Sequence, residues 1–125
     1  MRYQTEDEIK DELLKTEELV RSLAPQATTR PFFRAPFGYT NDTVIHAAQE
    51  EGFYVVDWTI DALDWIEDIT AEEVHWTVTR QLQPGAIVCM HGSSAATVQA
   101  LPLLLDTIED EGYTAVSLSE LLAPR

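Results

Sequence analysis

The chain is 125 residues long, enough for one compact domain with a buried core, and 45% of its residues are apolar, which excludes a disordered polypeptide. Its 22 acidic residues against 8 basic ones give a formal net charge of −14, which excludes a surface for nucleic acid or an anionic membrane, since neither phosphate backbone nor lipid headgroup gains from meeting it. No apolar run is long enough to span a bilayer, and the lone Cys89 excludes an intrachain disulfide or a Cys-rich zinc site.

In chain order, Thr5 and Glu8 form a capping box that opens a helix, with Ile9, Leu13, Leu14, Val20 and Leu23 expected on one face and a stop near Ala24-Pro25. A short extended piece, Pro31 to Arg34, leads into a turn at Pro36-Phe37-Gly38. Asn41 or Asp42 caps a second helix through Val44, Ile45 and Ala48, which ends at Gly52. The run Phe53 to Trp58 reads as a strand buried on both faces, as parallel strands are. Thr70 with Glu73 opens a helix carrying Val74, Val78 and Leu82, and Pro84-Gly85 turns into a strand over Ala86 to Met90. A helix over about Ala95 to Asp110, a strand over Tyr113 to Val116 and a short helix at Ser119 to Leu122 close the chain.

Alternating strands and helices predict α/β architecture with parallel strands, whose functional loops lie at the strands' carboxyl ends. Three loops qualify: Arg34 to Gly38, Trp58 to Trp65, and His91 to Ser94. Arg34-Ala35-Pro36-Phe37-Gly38 by itself marks only a turn with a surface arginine. Asp61-Ala62-Leu63-Asp64-Trp65 reads equally as a pocket wall with an orienting carboxylate or as an acidic loop with a half-buried indole. His91 directly follows the apolar run Ile87 to Met90, a placement suited to proton transfer as well as to a hydrogen-bonded rim histidine. Cys89 lies inside that run and reads as packing rather than a reactive thiol. His46 and His75 fall within helices and read as structural.

Jointly, the three loops resemble the last three motifs of the NodB-type polysaccharide deacetylases, carbohydrate esterase family 4. The opening capped helix, Arg30 to Gly38, Glu50 to Phe53, Gln83 to Val88, Ala100-Leu101-Pro102, and Glu111 through Ser117 to Leu122 extend the likeness over essentially the whole chain. The resemblance implies an incomplete (β/α) barrel, with residues 1–125 as the C-terminal part of the domain. It implies Arg34 as the arginine that orients the catalytic base, and Phe37 where a tyrosine's backbone N–H commonly helps hold an oxyanion. It implies Asp64 as the partner of the acid histidine, Trp65 as the pocket wall against the acetyl methyl, Cys89 as a pocket-lining position usually held by leucine, and His91 as the general acid.

The complete family domain is expected to hold zinc or another divalent metal through an aspartate and two histidines. The Thr-Phe-Asp-Asp-Gly type strand end and the His-x-x-x-His pair that supply those ligands and the base do not occur here. No two of His46, His75 and His91 are four residues apart, so no cofactor is expected in this chain. A cluster of His91 with Asp61 and Asp64 supplies one imidazole where catalytic zinc wants three well-placed ligands.

The expected function is that of a deacetylase-family hydrolase acting on N-acetyl groups of an amino-sugar polymer or another N-acetylated substrate, inactive as this chain alone. The alternatives are a non-catalytic carbohydrate-binding or assembly module, in which Phe37, Trp58 and Trp65 stack on sugars, and half of a split deacetylase. Missing leading strands would leave apolar faces that favour a homodimer or an N-terminal partner chain. A truncated longer gene explains the same facts. With no signal peptide at its start the chain is expected in the cytoplasm, whereas family members often act outside it.

Overall fold

The computed structural model describes residue 1 and residues 3–124, which fall into two compact units, residues 1–57 and 58–125. Among the described residues no helix is long and apolar enough to cross a membrane.

In the first unit, α1 (Glu6–Leu23) starts at the Thr5 and Glu8 capping box, in which the Thr5 hydroxyl accepts the Glu8 N–H and the Glu8 carboxylate accepts the Thr5 N–H. Only part of the expected apolar face is inside: Ile9 and Leu13 are buried, whereas Leu14 and Leu23 are exposed. The inward stripe continues at a spacing of four, and its next member is Glu17, 6% exposed. This carboxylate is tolerated there because it is fully occupied. It accepts the Thr28 hydroxyl at 2.8 Å, the Thr29 N–H at 2.7 Å and the Thr29 hydroxyl at 2.5 Å, with the Arg30 guanidinium 3.3 Å away.

The second helix, α2 (Asp42–Glu50), is capped by the Asn41 side chain at 2.9 Å. It ends where Gly52, at φ +81°, takes the left-handed conformation that lets its N–H reach Gln49 and the Phe53 N–H reach Ala48. The strands β1 (Phe32–Phe33) and β2 (Tyr54–Val55) pair in parallel, Phe32 opposite Tyr54. Around them Ile9, Leu13, Ala35, Val44, Ala47, Ala48 and Phe53 form the core. The expected strand over Phe53 to Trp58 shrinks to two residues and is not buried on both faces, since Tyr54 is 65% exposed. Its apolar run misled because only Phe53 turns fully inward.

In the second unit, β3 (Ile60–Asp61) pairs in parallel with β4 (Val88–Cys89), Ile60 opposite Val88 and Asp61 opposite Cys89. This places Asp61 in a strand, where the sequence had suggested a loop. The ladder is extended by the Thr59 and Ile60 N–H groups, which both donate to the Ile87 carbonyl. The helices α3 (Ala71–Thr79), with its Thr70 and Glu73 capping box, and α4 (Ala95–Asp110), capped by Ser94, pack together over this pair. Ile60, Ala62, Val74, Val78, Ala96, Ala100 and Leu104 are their buried core. Leu82 packs against that core from the turn beyond α3 rather than from the helix itself.

The strand expected over Tyr113 to Val116 does not form among the described residues, although Gly112 ends α4 as Gly52 ends α2. Among the described residues no strand pairs with the segment, and α5 (Leu118–Leu121), opened by a Ser117 and Glu120 capping box, follows it. Parallel strands and helices are therefore mixed as expected, although β2 and β3 follow one another with no helix between them, in two two-stranded ladders and without a closed barrel among the described residues.

Candidate functional site

The parallel register of β3 and β4 delivers two loops to the same end of their ladder. Beyond β3, Leu63 adopts φ 57°, a conformation a bulky side chain rarely takes, and its N–H donates to the Asp61 carboxylate at 2.9 Å. Asp61 thus ties the bend that follows its own strand, and the bend turns Asp64 inward, to 5% exposure.

Asp64 then collects three donors. The His91 backbone N–H donates to one carboxylate oxygen at 2.6 Å, and the Thr97 hydroxyl donates to the same oxygen at 2.7 Å. The His91 Nδ1 lies 2.8 Å from the other. A carboxylate can only accept, so Nδ1 carries its proton and Nε2 is left for chemistry at the surface. Burial pushes the Asp64 carboxyl up, but the hydrogen bonds from His91 and Thr97 outweigh it and hold the group below its ordinary value. Asp64 is therefore a buried anion, with no exposed side-chain surface, beneath a histidine whose side chain is 36% exposed.

The other residues singled out in the sequence are distributed as follows. Trp65 follows Asp64 directly and is 66% exposed. Cys89 is a free, buried thiol in β4. Arg34 and Phe37 belong to the first unit, where Arg34 is exposed. Phe37 is 84% exposed at φ 59°, its ring tilted against Tyr39 at 6.0 Å, in a turn closed by the Gly38 N–H on the Ala35 carbonyl. Asp64, His91 and their neighbours Trp65 and Cys89 thus come from the paired ends of β3 and β4. Thr97, which the sequence reading passed over, joins them from the first turn of α4. Its signal was the Ser94 cap three residues earlier, which fixes where that turn begins.

Among the described residues, the donor set of this unit does not fit a catalytic zinc. His91 has one nitrogen committed to Asp64, the Asp64 oxygens are committed to His91 and Thr97, and His75 is bonded to Thr107 at 2.8 Å. In the first unit Glu6, His46 and Glu50 approach one another, the His46 ring nitrogens lying 3.2 Å from a Glu6 oxygen and 3.8 Å from a Glu50 oxygen, and Glu50 also pairs with Lys10.

No family model matches the chain. It is 29% identical over 117 residues to a peptidoglycan-N-acetylglucosamine deacetylase of Bacillus cereus, covering 90% of this chain and 42% of that protein. It is also 29% identical over 128 residues to a chitooligosaccharide deacetylase of a Bradyrhizobium species, covering 91% and 58%. Among solved structures, a carbohydrate esterase family 4 pseudoenzyme from Bacillus anthracis superposes on 98% of the chain with a TM-score of 0.89 and 30% identity, over 42% of its own length. A variant of that protein with restored enzymatic activity matches at 31% identity. The chain thus spans about half the length of the relatives it matches. The same loops, the same parallel ladders and the same alignments lead to one assignment: this chain belongs to the NodB-type polysaccharide deacetylases, carbohydrate esterase family 4.

Proposed function

We propose that this chain supplies the proton-donating side of a hydrolase that removes N-acetyl groups from an amino-sugar polymer, and that it does not catalyse alone. The observation that carries the reading is the buried Asp64 beneath the half-exposed His91. In amide hydrolysis the tetrahedral intermediate collapses as its C–N bond breaks, and the departing nitrogen takes a proton. His91 is the donor in this account: charged, it holds one proton at Nδ1 against Asp64 and presents the other at Nε2. Asp64 fixes the ring and balances its charge, as an orienting carboxylate does for a catalytic imidazole. Trp65 is the wall for the acetyl methyl, and Cys89 is a pocket-lining position. In the first unit, Arg34 is the residue that orients a base and the Phe37 N–H the donor to an oxyanion, the latter a role that survives the change from tyrosine because it needs only the backbone.

The attacking water, its base and the metal that polarises the carbonyl in a complete family domain are assigned to residues this chain lacks. The substrate class is supported by the relatives, which are named for peptidoglycan N-acetylglucosamine and for chitooligosaccharides. The test is acetate release from N-acetylchitotetraose by the purified chain in zinc-containing buffer. No release above buffer is expected, and release that disappears in His91→Ala would overturn the reading.

A second reading, a sugar-binding module without turnover, draws on the exposed Trp65 and Phe37 and on the pseudoenzyme relative. It requires chitooligosaccharide to bind, and Trp65→Ala to weaken that binding by about tenfold, a magnitude in line with the loss of one aromatic stacking contact.

A further inference from the structure

The loop that carries Phe37 holds a second exposed ring. Tyr39 is 52% exposed and Phe37 84%, and their rings lie 6.0 Å apart, tilted by 38°. Neither belongs to the apolar core of the first unit, which takes Ala35 from one end of the loop and Val44 from beyond the other. The turn between those anchors is fixed. The Gly38 N–H donates to the Ala35 carbonyl at 2.9 Å, the Tyr39 N–H donates to the Pro36 carbonyl at 3.2 Å, and the Asn41 side chain accepts the Val44 N–H at 2.9 Å. Phe37 and Gly38 take φ of 59° and 72° in succession. Glycine adopts that conformation freely, whereas a bulky side chain is strained in it, and strain of this kind clusters where a ligand is held.

Two exposed rings held side by side suit an occupant with flat apolar faces and a polar edge. Stacked nucleic acid bases would bring a phosphate backbone to a chain of net charge −14. A sugar brings C–H faces that lie on aromatic rings, and hydroxyls that turn to water or to the exposed Asn41. The 6.0 Å between ring centres is comparable with the step from one sugar to the next in a β-linked polymer, so the two rings match neighbouring sugars. The proposed function brings such a polymer to this loop, because it makes the Phe37 N–H the donor to the oxyanion formed from one acetyl group. Tyr39, two residues further on, then faces the adjoining sugar.

We propose that Tyr39 is a specificity-determining residue, whose ring stacks on the sugar next to the one bearing the reacting N-acetyl group, so that the chain selects a polymer of amino sugars over a single sugar. The proposal rests on reading Arg34 to Gly38 as part of a deacetylase site, and adds to it the residue that senses substrate length. The ring carries this contact, and the hydroxyl is not needed for it.

The experiment titrates N-acetylglucosamine and N-acetylchitotetraose into the full chain, into Tyr39→Ala and into Tyr39→Phe, and reads affinity from NMR chemical shifts. The tetraose is expected to bind about tenfold more tightly than the single sugar, in line with one added stacking contact. Tyr39→Ala is expected to abolish that preference while changing the affinity for the single sugar by about twofold or less, and Tyr39→Phe to keep it. Tyr39 lies outside the core, so both variants are expected to fold, and their amide spectra check this. A loss of affinity for both ligands in Tyr39→Ala would mean that the ring only shapes the turn, and overturns the proposal. So does a preference that Tyr39→Ala leaves intact, and so does the absence of binding by either ligand. The proposed function is judged separately, on acetate release from the same tetraose and its loss in His91→Ala, and it stands if Tyr39→Ala has no effect on binding.

Discussion

Asp64 shows how a buried charge is kept in a small unit: three donors converge on it, from a strand end, an imidazole and the first turn of a helix. Removing one donor exposes how the others depend on it. Thr97→Val leaves a buried carboxylate oxygen short of a partner and is expected to cost about 1–3 kcal/mol in denaturant unfolding, while Thr97→Ser restores most of it. Nitrogen NMR of the His91 ring is expected to show a fixed Nδ1–H form in the unsubstituted chain and a mixture of tautomers in Thr97→Val. A second residue sets a pH limit. The bonds from Thr29 and Thr28 hold the Glu17 carboxyl at about 2, against an ordinary 4.5. A carboxyl depressed on folding stabilises the fold above its unfolded value and ceases to do so as pH falls through the folded one. Thermal stability is therefore expected to decline between about pH 4.5 and 2, and Glu17→Gln to flatten part of that decline.

At the scale of elements, α3 and α4 hold their ladder through few side chains. Leu104, 1% exposed, is expected to cost about 2–5 kcal/mol as Leu104→Ala, whereas Leu103, 58% exposed, is expected to cost about 0.5 kcal/mol or less as Leu103→Ala, both read from denaturant midpoints. Helices were the legible part of the sequence, because their ends are written locally. Thr5 with Glu8, Thr70 with Glu73 and Asn41 are caps whose partners lie within four residues, and Gly52 and Gly112 stop their helices through bonds of equally short range. Strands were less legible, because a strand exists only where another backbone meets it. The run Phe53 to Trp58 is apolar yet pairs over two residues, Tyr113 to Val116 pairs over none, and the short β3 gives no periodicity to read. The candidate site divides in the same way. His91 and Asp64 were legible as candidates, each with a bland alternative, from their loops beyond strands, but nothing local in the sequence aims the Thr97 hydroxyl at Asp64 across 33 positions.

For the molecule as a whole, a net charge of −14 on 125 residues means that every folded arrangement works against its own repulsion. Screening shortens the range of that repulsion, from about 10 Å at 0.1 M salt to about 3 Å at 1 M. The melting temperature is accordingly expected to rise between those salt concentrations, and a flat or falling profile would mean that the acidic groups lie too far apart to matter. The central claim concerns what the chain holds by itself: a histidine and its carboxylate, committed to each other, with no set of ligands for a catalytic metal among the described residues of the same unit. Zinc titration of the purified chain by calorimetry, with His91→Ala alongside, tests it most directly. No tight stoichiometric binding is the predicted result. Tight one-to-one binding that vanishes in His91→Ala would contradict the account, because it would place a metal centre on this chain alone.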